Sequence, residues 1–260
     1  LVSGGDADFI VGRKLVLGIA LDEKSRGGSR YLHESAKVGD VIPVGNITTS
    51  TNAVGSASNH IFIVGGIGIT AFLGLAEAYN GVNWNVEMHY AIRSLDDLPY
   101  SDRIKALGGR VTLYNKEKGE RMDIRKIVQE RSWNSQLYVC GPDRMMSAAQ
   151  EAVKEFGVAD GEVHFEAFGA DVSGDPFEVE VANRPGKVLT VKEDETLLDV
   201  LRREFDEIPS SCEVGNCGTC KVDLKSGQVD HRGSALSEEE KTLAMLACVS
   251  RGVGRIAIEI

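Results

Sequence analysis

Residues 209–224 read PSSCEVGNCGTCKVDL, placing Cys212, Cys217 and Cys220 inside nine residues, and Cys248 follows after a further 27. The spacing C-x4-C-x2-C with a distant fourth cysteine is that of a plant-type [2Fe–2S] cluster. Four thiolates must converge on two irons, so the loop has to wrap tightly. Gly215 and Gly218 permit close backbone approach and positive φ, and backbone N–H groups can then point at the sulfurs and tune the cluster. The competing reading is a zinc site with four cysteine ligands. Zinc ribbons usually pair two C-x2-C knuckles, and only one is present here. The loop predicts a one-electron carrier held by Cys212, Cys217, Cys220 and Cys248.

The whole 260-residue chain carries a formal charge of −10, with 39 acidic and 29 basic residues. That balance argues against non-specific nucleic-acid binding, which depends on basic side chains neutralising phosphates. No apolar run approaches the roughly 18 residues of a membrane helix, and no signal peptide is visible. Five cysteines, four of them in one pattern, fit metal or redox chemistry in a reducing compartment. The expectation is a cytoplasmic protein with neither nucleic acid nor membrane as partner. His33, His60, His89, His164 and His231 show no metal-ligand spacing and read as packing or surface residues.

Between residues 60 and 168 apolar strand-like runs alternate with helical stretches. HIFIVG (60–65), VEMHYAIR, RVTLYN, QLYVCG and EVHFEAF read as strands, with helices over about 70–80, 102–107, 123–130 and 143–156. This alternation predicts a doubly wound parallel sheet. Residues 1–47 hold β-like runs (KLVLGIAL, DVIPVG) and one short helix after RGGS. Residues 48–59 and 169–176 read as linkers. Beyond them an αβ module contains the helix TLLDVLRREF, the cysteine loop, and SEEEKTLA as a short helix capped by Ser237. Its acidic runs at 192–195, 206–207 and 237–241 are either a solvated surface or a docking face for a basic partner. The domains are predicted at 1–53, 54–169 and 175–260.

VGGIGITA supplies Gly66-x-Gly68-x-x-Ala71 between a strand and a helix, where a helix N-terminus receives a pyrophosphate. A tight strand–helix turn is the plainer alternative. After the second strand, Arg93 and Ser94 stand where an acidic residue would favour NAD. Arg93 serves a 2′-phosphate, stacks on adenine, or is a solvated strand end; Asp96 and Asp97 are alternatives for the ribose hydroxyls. YVCGP puts Cys140 at the ligand-binding end of a strand, although a lone cysteine is more often a small buried hydrophobe. SRGGS places Gly27, Gly28 and Ser29 at a helix start, anion-friendly or simply capped.

These motifs occur in an order that resembles the phthalate dioxygenase reductase family. Its members are NADH-dependent reductase components of Rieske aromatic oxygenases and of O-demethylases such as vanillate demethylase. The matching segments are SRGGS, GGIGIT, YVCGP, HFEAFG and PSSCEVGNCGTC…CVSRG, and they span nearly the whole chain. The resemblance implies a multi-domain α/β protein: a flavin-binding β-barrel, here partial, a parallel-sheet NAD domain, and a C-terminal ferredoxin of the β-grasp type. By family position Gly28 and Ser29 contact the FMN phosphate. Gly66, Gly68 and Thr70 line the pyrophosphate and nicotinamide path. Cys140, Gly141 and Pro142 border the nicotinamide, and Phe165, Glu166 and Phe168 lie near the flavin, with Cys140 and Glu166 at the chemistry. The family's flavin motif R-x-Y-S/T is expected just upstream of Leu1, so the chain is read as N-terminally truncated. The implied activity is electron transfer from NADH through FMN and [2Fe–2S] to a Rieske-type oxygenase. Two alternatives stand beside it: a stand-alone reductase of other acceptors, and a non-catalytic ferredoxin-type carrier.

Overall fold

The computed structural model describes residues 16–21, 27–43, 53–96, 98–169, 172–184, 186–205, 208–210, 212–233 and 235–260. The chain forms two compact units, Leu1–Glu166 and Ala167–Ile260. Among the described residues no helix is long and apolar enough to cross a membrane.

In the first unit, helix α1 (Gly28–Glu34) follows Gly27, whose φ is 116°. The β-like runs on either side lie only partly outside the described residues. Their described parts, 16–21 and 40–43, are in no strand, because no described segment pairs with them.

The core is a five-stranded sheet of β1 (Asn59–Gly65), β2 (Val86–Ile92), β3 (Val111–Asn115), β4 (Ser135–Cys140) and β5 (Val163–Phe165), ordered β3-β2-β1-β4-β5. Every pairing is parallel. Parallel strands are covered on both faces and therefore read as continuous apolar runs; all six residues of β4 are buried, as are six of seven in β1. Four helices connect the strands: α2 (Ile69–Gly81), α3 (Ser101–Ala106), α4 (Ile124–Glu130) and α5 (Asp143–Glu155). Phe62, Phe72, Leu73, Tyr90 and Tyr138 pack together on one face. The chain runs outward from β1 to β3 and then returns to β4. That reversal opens a crevice beyond the carboxyl ends of β1 and β4, where ligands of open α/β sheets bind.

The second unit is a mixed sheet of order β7-β6-β10-β8-β9 under one helix. Its strands are β6 (Phe177–Val181), β7 (Val188–Val191), β8 (Lys221–Asp230), β9 (Ala244–Leu246) and β10 (Arg251–Glu259), with β6 and β10 parallel and the other pairs antiparallel. In β6 Phe177, Val179 and Val181 face the core while Glu178 and Glu180 face solvent. Helix α6 (Leu197–Glu204) starts at a capping box in which Thr196 and Asp199 satisfy each other's backbone N–H. It buries Leu197, Leu198, Val200 and Leu201 on the sheet, each contributing about 1.5–3 kcal/mol.

SEEEKTLA is not an α-helix. Ser237 and Glu240 form the capping pair the sequence suggests, with Glu240 N–H to Ser237 Oγ at 3.3 Å and Ser237 N–H to the Glu240 carboxylate at 3.1 Å. The chain enters β9 at Ala244, however, so only one 3-10 turn (Glu240–Thr242) fits. At the start of this unit the buried Arg251 guanidinium donates to the carbonyls of Val172, Asp175, Lys192 and Glu195. It also lies 5.2 Å over the Phe177 ring.

Candidate functional site

The crevice in the first unit is shaped by glycines. Gly66 opens a 3-10 turn in the left-handed region at φ 54°. Its carbonyl accepts a 2.9 Å hydrogen bond from the hydroxyl of Tyr90, a buried residue of β2. A Cβ on Gly68 would fall 2.7 Å from the Cys140 carbonyl carbon, so only glycine lets the β1 turn close on the end of β4. Met145, from α5, lies beneath both Gly65 and Gly141; a Cβ on Gly65 would come within 2.7 Å of its Cε. Thr70, also buried, donates to the Ile67 carbonyl at 2.8 Å. The N-terminus of α2, 13 residues long, emerges from this turn, bringing its first N–H groups and positive dipole end to the crevice.

Cys140 is 1% exposed at the end of β4. Burial, with the nearby Glu166 charge adding to it, pushes its thiol up to about 12. Glu166 continues the β5 edge, its N–H donating to the Val139 carbonyl at 2.9 Å, and burial raises its carboxyl. The structure thus brings Gly66, Gly68, Thr70, Cys140, Gly141 and Glu166 to one edge, with Pro142 opening α5 there and Phe165 ending β5. Arg93 is exposed just past β2, its carbonyl accepting from Glu117 N–H at 3.2 Å. Ser94 is buried and Asp96 exposed; Asp97 lies outside the described residues. Gly28 and Ser29 begin α1, and a Cβ on Gly28 would meet nothing within 4 Å. Phe168 is half-exposed and belongs to the second unit.

In the second unit the cysteine loop is a run of left-handed turns: Glu213 (φ 55°), Gly215 (φ 80°) and Gly218 (φ 74°). Gly215 packs on Gly233, where a Cβ would sit 2.8 Å from the Gly233 Cα. The loop turns its N–H groups toward sulfur. Asn216 N–H points at Cys212 Sγ at 3.3 Å and Cys212 N–H at Cys217 Sγ at 3.5 Å. Thr219 Oγ1 lies 3.2 Å from Cys217 Sγ, and Cys220 and Cys248, both buried, have their Sγ atoms 3.0 Å apart.

These contacts act differently on each thiol. At Cys217 burial opposes ionisation, but hydrogen bonds from Thr219 and from backbone N–H groups outweigh it and bring the thiol down to about 7. Within the Cys220–Cys248 pair the shared hydrogen bond lowers Cys220 and raises Cys248. Among the described residues no three His, Cys, Asp or Glu side chains surround a single point as one ion's shell. Thiolates spread over two irons need no such point, and sulfur-directed N–H groups on a glycine-rich loop suit a cluster.

The histidines lie elsewhere. His60 is buried among Tyr79, Trp84 and Tyr138, His89 bridges Tyr114 and Glu87, and His164 meets Gln136. Tyr90, Met145 and Gly233 lie in no motif, and Asn216 and Thr219, though inside the cysteine loop, were not marked as sulfur partners by the sequence.

This is the architecture of an iron–sulfur oxidoreductase. The family of 2Fe-2S iron-sulfur cluster binding domains matches residues 180–252. The N-terminal domain of dimethylamine monooxygenase subunit DmmA-like proteins matches residues 48–163. The chain is 37% identical over 243 residues to the heme-dependent oxidative N-demethylase beta subunit of Ectopseudomonas mendocina, covering 93% of this chain and 78% of that one. It is 40% identical over 263 residues to a reductase of Gibberella moniliformis, where it spans 95% of its own length but 46% of the relative's. Phthalate dioxygenase reductase, described as a modular structure for electron transfer from pyridine nucleotides to [2Fe-2S], superimposes with a TM-score of 0.62 at 27% identity, covering 93% of this chain and 78% of that structure. The chain belongs to the phthalate dioxygenase reductase family, the oxidoreductases that serve as reductase components of oxygenase systems.

Proposed function

We propose that this protein carries electrons from NADH, through FMN and a [2Fe–2S] cluster, to a Rieske-type oxygenase in the cytoplasm. The observation that carries the reading is a chain uniting a sulfur-directed N–H loop with a glycine-lined crevice at the parallel-sheet switch point. When bound, the cofactors supply hydride acceptance and one-electron relay; the chain's own residues supply binding, orientation and exclusion of water. The first N–H groups of α2, with Gly66 and Gly68, hold the pyrophosphate, and Tyr90 fixes the turn that presents them. Cys140 stays a neutral thiol at pH 7 and packs, with Gly141 and Pro142, against the nicotinamide, while Glu166 holds its proton more tightly than a solvated carboxylate. Gly28 and Ser29 receive the FMN phosphate, Phe165 and Phe168 are assigned near the flavin face by family position, and Arg93 and Ser94 meet the adenosine end. Cys212, Cys217, Cys220 and Cys248 ligate the cluster. The domain division 1–53, 54–169 and 175–260 belongs to the same reading.

Anaerobic titration with NADH tests it: flavin and cluster absorbance should both bleach. A cluster that bleaches with dithionite but not NADH would reduce the protein to a passive carrier. A heme-containing terminal oxygenase is the second reading for the partner, favoured by the N-demethylase relative. NADH consumption coupled to product with a purified Rieske oxygenase, compared with a heme demethylase, separates the two.

A further inference from the structure

Cys212 is less enclosed than the buried Cys220 and Cys248. It enters the loop between two residues held by one side chain from outside. Arg202, on α6, donates through Nη2 to Glu213 Oε1 at 2.7 Å and to Ser210 Oγ. Its two acceptors lie two residues before and one residue after Cys212. Glu213 is the one non-glycine residue of this loop with positive φ among those described, a conformation costing about 1–2 kcal/mol for an L-residue. Such a residue persists only where its surroundings over-determine it. Here they do: the loop's Gly215 packs on Gly233, and the Glu213 carboxylate is held by a guanidinium on a helix anchored by four buried aliphatic side chains. The left-handed turn at Glu213 precedes the Asn216 N–H that points back to Cys212 Sγ.

An isolated, partly exposed ion pair contributes little. This one differs in its geometry, because the two N–H groups of one guanidinium nitrogen, Nη2, reach the two flanks of a single cysteine from a planar, pre-organised group that loses little entropy per bond formed. We infer that Arg202 is a positioning residue for the cluster, clamping the Cys212 limb of the loop to α6. Its cation, balanced by Glu213, also helps to set the cluster's reduction potential. The inference rests on the cluster reading given above.

The two charges give a test that a merely structural role would not reproduce. In the full chain, Arg202→Gln and Glu213→Gln both open the clamp, so iron release to an anaerobic chelator should accelerate about fivefold in each. The midpoint potential should move in opposite directions. Losing the cation disfavours the more negative reduced cluster and lowers the potential; losing the carboxylate raises it. Arg202→Lys, which keeps the charge but not the planar pair of N–H groups on Nη2, should hold the potential near wild type while still releasing iron faster. If both Gln variants match wild type in release rate and potential, or shift the potential the same way, the role of Arg202 is overturned. If Arg202→Gln does not fold, Glu213→Gln and Arg202→Lys decide on the same criteria. A wild-type protein holding no iron and sulfide would overturn the cluster reading itself, and this inference with it.

Discussion

Replacing Gly68 with alanine tests whether the crevice depends on the close approach of two turns. The added Cβ would lie 2.7 Å from the Cys140 carbonyl carbon and closer still to its oxygen. That falls about 0.8 Å short of a comfortable carbon–carbon separation of roughly 3.5 Å. The neighbour is backbone at the end of a fully buried strand, so no flexible side chain can swing away. Either α2 lifts from the sheet or the 140–142 turn retreats. Overpacking of this kind costs about 1–3 kcal/mol. Because the displaced atoms line the proposed nucleotide path, kcat/KM for NADH should fall roughly 10- to 100-fold, as misplacement near 1 Å does in other sites. Stopped-flow reduction by NADH and thermal unfolding followed by far-UV dichroism measure the two effects. The visible [2Fe–2S] spectrum, belonging to the other unit, serves as an internal control and should not change. Gly66→Ala is the companion variant. Its Cβ would meet nothing within 4 Å, so only the left-handed φ penalty of about 1–2 kcal/mol applies. Wild-type NADH kinetics and melting in Gly68→Ala would refute the close-approach argument.

Cys248→Ser should lose the visible cluster absorbance while Cys140→Ser keeps it; equal loss in both would sink the ligand assignment. Burial raises the Glu166 carboxyl above its unfolded value, so its contribution to stability is present below the ordinary carboxylate range and lost as pH rises through the raised value. Glu166→Gln should therefore melt like wild type at pH 4 and above it at pH 8, and parallel melting profiles would show that the carboxyl is not desolvated. Steady-state rates should favour NADH over NADPH; an NADPH preference that vanishes in Arg93→Ala would assign that side chain to a 2′-phosphate instead.

The sequence makes plain whatever depends on spacing along the chain. Cluster cysteines must sit at set intervals for one loop to wrap, and a parallel sheet must alternate strand with helix. What it hides are partners created by register and packing. Tyr90 reaches Gly66 because β2 pairs with β1 so that Val64 faces Tyr90, and nothing local marks that residue. Met145 beneath Gly65, and Arg202 on a helix gripping Glu213 in a loop, are likewise meetings made by packing. The 237–243 segment shows the reverse case, a correct local capping signal whose helix is cut short by the strand that follows. Charge behaves similarly. The acidic runs are visible as counts, but Glu195 is paired with Arg203, Glu238 with Lys241 and Glu240 with Lys221. Three of the six described acidic residues in those runs are thus answered within the unit.

Arg251 bears on how the ferredoxin part can be moved between proteins. Its guanidinium stays charged at any physiological pH, and two of its four carbonyl acceptors, Val172 and Asp175, precede the first strand. Those residues look like spacer, yet their backbone carbonyls are partners of a buried guanidinium. A fragment cut at the strand boundary leaves a buried cation short of acceptors, at a cost of about 1–3 kcal/mol for each unmet hydrogen bond. A graft that begins upstream of Val172 carries its own seal. Such a segment lets gene fusion or domain transplantation deliver the electron carrier intact, with the joint falling outside it.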